Sequence, residues 1–433
     1  MASDPSSADA RPARSQGAPP DAPLGGPFDV LVVGGGAAGL WAAGTAAARG
    51  RRVLLLEKNA RVGVKILASG GGHCNVTTTL SGPALLDAFG RDGGRFLATS
   101  LRRLPPAAVR ARLDALGVAT KEGPLEKVWP VSMRARDVAD ALLRRATAAG
   151  ARVATGLACV DVLRDGAGFL VRTSGGDARA PKVVVAVGGR SYPRTGTTGD
   201  GYPWLEALGH AIVRTVPALV PLVVETPWVR ALAGIAEADA RVSVEAGGRT
   251  LADRRRPLLF THTGLSGPGP MDVSRWFERC APWERPTLHV DLLPDVAEDA
   301  VRAALTAAVA ARPADRIARC LPPSFPARLA ESLCAHVGVP PDRRAAETSK
   351  AERHALVLAT KRLTLPVAGT RGYDFAEVTA GGVALPEVDP ATMESRLVPG
   401  LHVVGELLDV DGPIGGFNFQ AAFATGEAAG LAV

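Results

Sequence analysis

The sequence predicts an α/β fold in which a parallel sheet is interrupted by a β-rich insertion. Near the N-terminus an apolar run, Val30–Val33, breaks into three spaced glycines and continues as an alanine-rich helical pattern. From residue 210 to 294 the apolar segments are shorter and turn signals are frequent, which predicts an inserted β-barrel-like domain or a sandwich. This domain is expected to carry a helical insertion, and α/β patterns return from residue 377. A discontinuous α/β domain whose first and last parts flank the insertion accounts for this order.

The first strand, turn and helix have the features of a dinucleotide-binding unit. Gly34 permits the sharp turn, Gly36 lets the backbone approach a pyrophosphate, and Gly39 lets the helix pack on the strand. The free N–H groups of the helix N-terminus favour an anion there. A second apolar strand, residues 52–56, ends in Glu57, eighteen residues after Gly39, where an acidic side chain can hold both hydroxyls of a ribose. This order of strand, spaced glycines, helix, second strand and acidic residue predicts a bound dinucleotide.

The remaining elements define the predicted domain boundaries. Helical periodicity is expected at residues 94–103, 105–116 and 134–149 of the first part, and at 297–311, 326–337 and 349–362 later in the chain. We predict these segments: a disordered tail at 1–26, the first part of the dinucleotide-binding domain at 27–205, a β-rich inserted domain at 206–294, a helical insertion at 295–361, a return strand of the inserted domain at 362–376, and the second part of the dinucleotide-binding domain at 377–433.

Composition is typical of a cytoplasmic enzyme. The 433 residues are 47% hydrophobic, which is enough for a sizeable core. The five cysteines are scattered, so we expect neither a disulfide framework nor a metal site. Residues 1–26 lack the apolar centre of a signal peptide, and no apolar run is long enough to span a membrane. We therefore expect a cytoplasmic protein without membrane contact.

The net charge of +7 is carried mainly by arginine. Only seven of the fifty basic residues are lysine, and the arginines cluster at residues 102–112, 144–145 and 254–256. Such clusters are compatible with a polyanionic partner such as RNA. They are equally compatible with a genome-wide compositional bias or with ordinary solvated surfaces, and the sequence does not decide between these three origins.

Three glycine-rich loops follow predicted strands or precede the last helix. They occupy residues 65–77, 188–201 and 405–420. Consecutive glycines lose entropy on ordering and bury nothing, so something must approach the backbone there. Loops at strand ends converge on the ligand-binding edge of a parallel sheet. We expect all three loops to surround one ligand.

The motifs of these loops resemble those of the YhiN/BaiN-like flavoprotein family, whose FAD-binding fold is of the glutathione-reductase type. The resemblance runs from Phe28 to the C-terminus. Its motifs are SGGG-x-CN at 69–75, Trp129-Pro130, GG-x-SYP-x-TG-x-TGDG at 188–201, FTHTGLSGP at 260–268, VTAGGV at 378–383 and TMES at 392–395. Two departures are local: His73 stands where arginine is common, and residues 417–420 read FNFQ where YNLQ is usual.

The resemblance implies an FAD site and assigns residues to it. The first three glycines would hold the pyrophosphate, Glu57 the adenosine ribose, and Ser69–Gly72 the isoalloxazine and ribityl region. Glu406 and Asp409 would bind the ribityl chain, and the final helix would begin at the pyrimidine ring, where its N-terminus stabilises negative charge. The complete set implied is Gly34, Gly36, Ala38, Gly39, Glu57, Lys58, Lys65, Ser69, Gly70, Gly71, Gly72, Asn75, Gly188, Gly189, Gly405, Glu406, Asp409, Gly415, Gly416 and Asn418.

The resemblance also implies a redox reaction. Members of the family reduce activated carbon–carbon double bonds, either of uridine in large-subunit ribosomal RNA or of enones in steroid-like molecules, and an amine oxidase activity is attached to some relatives. Our leading hypothesis is formation of dihydrouridine in 23S ribosomal RNA. The alternatives are a small-molecule enone reductase, an amine oxidase, and a non-enzymatic RNA-binding or assembly factor with a structural flavin. No second GxGxxG unit exists, so NAD(P)H is expected as a transient reductant.

Reduction of a double bond needs a proton donor as well as a hydride. His73 and Cys74 in the expected flavin-facing loop, and His262 in the THTG segment, are the candidates. The alternatives are a small buried cysteine that fixes the loop, a hydrogen-bonded turn histidine, and a contact from His73 to a phosphate or a carbonyl.

Overall fold

The computed structural model describes residues 24–281 and 283–433. Most of the predicted tail, residues 1–23, lies outside the described residues, whereas Leu24 is buried against the core. The first part of the chain contains β1 (Val30–Val33), α1 (Ala37–Ala48), β2 (Val53–Glu57), α2 (Val64–Ala68), β3 (Thr77–Thr78), α3 (Gly82–Asp87), α4 (Gly90–Arg103), α5 (Pro106–Ala115), β4 (Thr120–Glu122), β5 (Lys127–Pro130), α6 (Ala135–Ala148), β6 (Arg152–Thr155), β7 (Cys159–Asp165), β8 (Gly168–Thr173), β9 (Gly176–Ala180), β10 (Lys182–Val185) and α7 (Gly201–Ala207).

The remainder forms shorter strands, several helices and a return to the first domain. Its elements are β11 (Ile212–Ala218), β12 (Leu222–Val223), α8 (Pro227–Ala231), β13 (Ala236–Ala246), β14 (Arg249–Thr261), β15 (Gly264–Ser266), α9 (Pro268–Val273), α10 (Trp276–Arg279), β16 (Thr287–Asp291), α11 (Glu298–Ala311), α12 (Ala327–His336), α13 (Lys350–Lys361), β17 (Leu363–Leu365), β18 (Gly369–Thr370), β19 (Val378–Val383), β20 (Leu401–Val403) and α14 (Phe417–Ala432).

A five-stranded parallel sheet organises the first domain. Its order is β20-β10-β1-β2-β6, so a strand from the C-terminal part pairs beside strands of the N-terminal part. Every residue of β1 is buried, as expected for a parallel strand covered by helices on both faces. The predicted α/β fold is confirmed, and the carboxyl ends of β1, β2 and β10 lie side by side.

Helices α1 and α14 pack with direct backbone contact. A Cβ added at Gly426 would lie 2.5 Å from the carbonyl oxygen of Ala38, and one at Gly430 would lie 2.7 Å from that of Ala42. The two glycines are four residues apart and therefore on one face of α14. This close approach fixes the N-termini of both helices at the same edge of the sheet.

Glu427 lies beside these glycines and carries a buried charge. Its carboxylate accepts hydrogen bonds from Trp41 Nε1 at 2.9 Å and Thr45 Oγ1 at 2.7 Å, and it pairs with Arg112 at 2.8 Å. Burial by itself raises the pKa of this carboxyl, but Arg112 and the hydrogen bonds outweigh it and hold the pKa below its usual value. The network ties α1, α5 and α14 together.

The insertion has a hydrophobic core of its own. A seven-stranded antiparallel sheet of order β17-β16-β13-β14-β15-β12-β18 packs against α11, α12 and α13. Among the described residues the two edge strands β17 and β18 do not pair with each other, so the sheet of the predicted β-barrel-like domain is open between them. The β-rich insertion and its helical part are confirmed, while the exact domain boundaries stay a prediction. Strands β11 and β19 form a two-stranded link between this core and the first domain.

None of the helices in residues 24–281 and 283–433 combines the length and the apolar character needed to cross a bilayer.

Candidate functional site

A deep cavity of about 540 Å³ follows the carboxyl edge of the parallel sheet. This volume is within the range of small-molecule and cofactor sites. The cavity starts at the turn after β1, passes the ends of β2 and β10, and reaches the N-terminus of α14. Residues at the edge of the insertion, including Leu219, Met271 and Phe375, complete its walls.

The three glycine-rich loops converge on this cavity, as the sequence predicted. Sixteen of the twenty residues assigned to FAD line it: Gly34, Gly36, Ala38, Glu57, Lys58, Lys65, Ser69, Gly70, Gly71, Asn75, Gly188, Gly405, Glu406, Gly415, Gly416 and Asn418. The other four, Gly39, Gly72, Gly189 and Asp409, lie outside the wall. That each of these residues binds FAD stays a prediction.

The three glycines of the first turn have different surroundings. Gly34 has a φ of +105°, and a Cβ there would lie 2.5 Å from the carbonyl oxygen of Ala186. A Cβ at Gly39 would lie 1.9 Å from the carbonyl oxygen of Gly34, so this glycine permits the contact between helix and strand. A Cβ at Gly36 would meet nothing within 4 Å, because it would project into the cavity.

Glu57 at the end of β2 is only 8% exposed and braces the turn. One carboxylate oxygen accepts a hydrogen bond from the Gly35 N–H at 2.7 Å, and the other accepts from the backbone N–H and the side-chain amide of Asn59 at 2.8 and 2.7 Å. A carboxylate has about four acceptor positions. Three are therefore used within the protein, which leaves room for one further donor from a ligand.

Two helix N-termini face the cavity without a side-chain cap. They belong to α1, whose N-cap is Gly36, and to α14, whose N-cap is Gly416. The first N–H groups of a helix lack intrahelical partners, and the helix dipole adds positive potential there. The cavity therefore has an anion-binding position at each of two separate places. This donor set fits FAD, with its pyrophosphate at α1 and the pyrimidine edge of its flavin at α14.

Glu406 lines the same cavity and is fixed by protein donors. It pairs with Lys65 Nζ at 2.6 Å, accepts a hydrogen bond from Ser191 Oγ at 2.6 Å and accepts another from the Thr379 N–H at 3.0 Å. A Cβ at Gly189 would lie 2.8 Å from the same carboxylate, so Gly189 makes room for Glu406. A fixed carboxylate at this place can accept hydrogen bonds from the hydroxyl groups of a ribityl chain.

The loop before α14 is fixed by polar contacts of its own. Asn418 donates to the carbonyl oxygen of Gly412 and accepts from its N–H, both at 2.9 Å. Asp409 pairs with Arg279 at 3.1 Å and Asp411 with Arg275 at 2.6 Å, so both aspartates attach the loop to α10 and its N-cap. The sequence placed Asp409 at the ribityl chain, whereas the structure places it against an arginine outside the cavity wall.

The three proton-donor candidates do not line the cavity. His73 is exposed, and its Nδ1 lies 2.7 Å from the carbonyl oxygen of Met133. Cys74 is fully buried, and burial raises the pKa of its thiol to about 12. His262 is exposed in the turn between β14 and β15. A catalytic role for each of them stays a prediction.

Sequence reasoning missed several residues of the cavity wall, namely Lys127, Trp129, Phe375 and Glu377. The sequence held only weak signals that these residues belong to the site. Trp129 is part of the Trp129-Pro130 motif, and Glu377 directly precedes the motif VTAGGV.

Many clustered arginines have carboxylate partners. Arg110 pairs with Glu122, Arg112 with Glu427, Arg255 with Asp239 and Asp295, and Arg256 with Glu126. Arg145 stacks on Trp41, with its guanidinium carbon 5.0 Å from the ring centroid. A group already paired within the fold contributes little to attracting a polyanion. The paired arginines of these clusters are therefore weak evidence for a polyanionic partner.

Comparisons with known proteins agree with the site. The family model described as "HI0933-like protein Rossmann domain" matches residues 28–432. A protein of Escherichia coli (strain K12) named "Ribosomal RNA dihydrouridine synthase" is 32% identical over 92% of this chain and 96% of its own length. The same name belongs to a Haemophilus influenzae protein that is 30% identical over 93% of this chain and 98% of its own.

A third relative carries a different name. The Clostridium scindens protein "3-dehydro-bile acid delta(4,6)-reductase" is 33% identical over 93% of this chain and 98% of its own length. The glycine turn, the converging loops and the two uncapped helix N-termini stand in the region that these matches cover. The chain therefore belongs to the HI0933-like family of Rossmann-domain proteins and is an FAD-dependent oxidoreductase.

Proposed function

We propose that this oxidoreductase reduces a uridine of large-subunit ribosomal RNA to dihydrouridine. The observation that carries the proposal is the pair of relatives named as ribosomal RNA dihydrouridine synthases, which match at 32% and 30% identity over almost the whole chain. Reduction of a carbon–carbon double bond is a reaction for which an FAD enzyme is suited.

Aromatic side chains of the cavity wall support a planar, conjugated substrate. Trp129 and Phe375 offer aromatic faces there. Each ring has a cation near it, with Lys127 Nζ 5.8 Å from the Trp129 centroid and the guanidinium carbon of Arg371 3.4 Å from the Phe375 centroid. Aromatic faces suit a nucleobase removed from its stack, and adjacent cations suit its phosphates.

The chain's own residues bind and orient the reactants. The N-terminus of α1 would hold the pyrophosphate of FAD, and that of α14 would favour negative charge on the pyrimidine edge of the flavin. Bound FAD supplies hydride transfer. Glu406, fixed by Lys65 and Ser191, would hold the ribityl chain.

NAD(P)H is the proposed electron donor. In the described residues the parallel sheet carries one strand–turn–helix unit with GxGxxG spacing, which is the one after β1. The donor would therefore enter the same cavity, and it would leave before the substrate binds.

The test is the dihydrouridine content of 23S ribosomal RNA, measured by mass spectrometry in a deletion strain and in the same strain carrying the gene on a plasmid. We expect one dihydrouridine to be lost and then restored. Complementation with a Gly36→Ala variant is the matched control, because it should weaken FAD binding while the protein folds. An unchanged dihydrouridine content in the deletion strain would refute the proposal.

A small-molecule enone reductase is the second candidate, favoured by the 33% identity to the bile acid reductase. Steady-state assays of the holoenzyme separate the two. Turnover of NAD(P)H that small enones stimulate and structured RNA does not would favour this candidate. Oxygen uptake with amines would indicate an oxidase, and a flavin that NADPH does not bleach under anaerobic conditions would indicate a structural cofactor.

A further inference from the structure

Glu377 has an unusual position among the carboxylates of the cavity. It directly precedes β19 and is fixed through its backbone, since its N–H donates to the Leu219 carbonyl oxygen at 3.2 Å and its carbonyl oxygen accepts from Ser191 Oγ at 3.3 Å. Its side chain is exposed to the space of the cavity that it lines, while protein atoms of the cavity walls surround it. The backbone contacts therefore leave the carboxylate free to face a bound molecule.

The other acidic residues of the cavity wall are all tied to protein donors. Glu57 accepts from Gly35 and Asn59, Asp200 pairs with Lys58 at 2.5 Å, and Glu406 pairs with Lys65. Within residues 24–281 and 283–433, no hydrogen bond or ion pair engages the Glu377 carboxylate. A polar group held in an enclosed site without a partner is available to a ligand.

The surroundings of Glu377 favour its protonated form. Desolvation by the surrounding cavity walls raises the pKa of this carboxyl, and the opposing effects of Lys127 on β5 and Lys65 on α2 do not cancel it. Lys65 is already engaged by Glu406, and the nearby carboxyl of Asp272 on α9 adds a like charge when ionised. Glu377 can therefore carry an O–H donor at a higher pH than a solvated glutamate.

We propose that Glu377 is the general acid that protonates the substrate carbon next to the one that receives the hydride. The inference rests on the proposed reduction of a double bond. One alkene carbon takes a hydride from reduced FAD, which is oxidised, and the neighbouring carbon takes the proton of the Glu377 carboxyl. The carboxylate left behind regains a proton from water before the next turnover. Glu377 thus fills the role for which the sequence offered His73, Cys74 and His262.

The test compares Glu377→Gln with Asp374→Asn, a matched change at an exposed carboxylate three residues away and outside the cavity wall. Both variants should retain FAD and its reduction by NAD(P)H. Oxidation of the reduced enzyme by the alkene substrate should slow by ~10²–10⁴-fold in Glu377→Gln and stay unchanged in Asp374→Asn. In the wild type this step should slow as the pH rises through the pKa of Glu377, and that dependence should vanish in Glu377→Gln.

An infrared difference spectrum provides a readout without turnover. The spectrum of the wild type minus that of Glu377→Gln should contain the C=O band of a protonated carboxyl at neutral pH. This band should disappear at higher pH. If Glu377→Gln fails to bind FAD, Glu377→Asp replaces it and should keep the pH dependence with a slower rate. Wild-type rates and pH dependence in Glu377→Gln would overturn the proposal, as would the absence of the band. A wild-type enzyme that reduces neither RNA nor enones would instead refute the proposed function.

Discussion

The substitutions Gly36→Ala and Gly39→Ala should impair the protein in different ways, the first through FAD binding and the second through stability. A methyl group at Gly36 meets no protein atom within 4 Å, and the φ of −81° is one that alanine adopts freely. Replacing an N-cap glycine by alanine costs less than about 1 kcal/mol. A methyl group at Gly39 would lie 1.9 Å from the carbonyl oxygen of Gly34, so α1 must move away from β1. Overpacking of this kind costs about 1–3 kcal/mol.

These energies set the expected measurements. For a domain of this size Gly39→Ala should lower Tm by roughly 2–12 °C in protein freed of FAD, whereas Gly36→Ala should leave Tm almost unchanged. Displacing one charge-assisted hydrogen bond to the pyrophosphate costs about 1.5–3 kcal/mol, so Gly36→Ala should weaken FAD binding by about 10- to 150-fold. Calorimetric melting and FAD titration measure the two effects. Wild-type FAD affinity in Gly36→Ala would refute the assignment of this turn to the pyrophosphate.

Two further predictions concern buried carboxylates. Glu57→Ala should destabilise the FAD-free protein by about 1–3 kcal/mol in urea denaturation, because it leaves the Gly35 N–H without its acceptor; unchanged stability would show that the bracing is unimportant. Glu427→Ala should cost about 1–3 kcal/mol at neutral pH through the lost bonds to Trp41 and Thr45. The pKa of Glu427 is lower in the folded protein than the value near 4.5 of the unfolded chain. The ionised carboxylate therefore contributes fully to the free energy of unfolding above pH 4.5, and this contribution is lost as the pH falls through the folded pKa. Melts from pH 7 to pH 3 should therefore show the gap between wild type and Glu427→Ala narrowing, and a gap that widens on acidification would contradict the network.

The fold was predictable where the cause of a structure is local. The glycines of the first turn contact atoms within a few residues or on the adjacent strand. Their spacing in the sequence was therefore sufficient to predict the turn. Strand β1 is apolar along its whole length because both faces are covered, and that pattern is readable without coordinates. The convergence of the three glycine-rich loops followed from the rule that ligands bind at the carboxyl edge of a parallel sheet.

The rest of the site depends on contacts between distant segments. Proximity in sequence to the glycine-rich loop suggested His73, but the loop directs its imidazole to Met133 and away from the cavity. Glu377 differs from Glu406 by the absence of a partner, and no sequence motif reports whether a carboxylate has one. The sequence indicated only a ribose contact for Glu57. Its hydrogen bond from the Gly35 N–H joins residues twenty-two positions apart, and such a contact becomes visible only in the fold.

The most direct test of the account is a single turnover of the FAD-loaded enzyme without oxygen. The enzyme is first reduced with NADPH, which should bleach the absorbance of oxidised flavin. It is then mixed with 23S ribosomal RNA from the deletion strain, and in parallel with a small enone. We predict that the flavin absorbance returns with the RNA and that the RNA gains dihydrouridine in equal amount. A flavin that stays reduced with both substrates would contradict the assignment as a double-bond reductase.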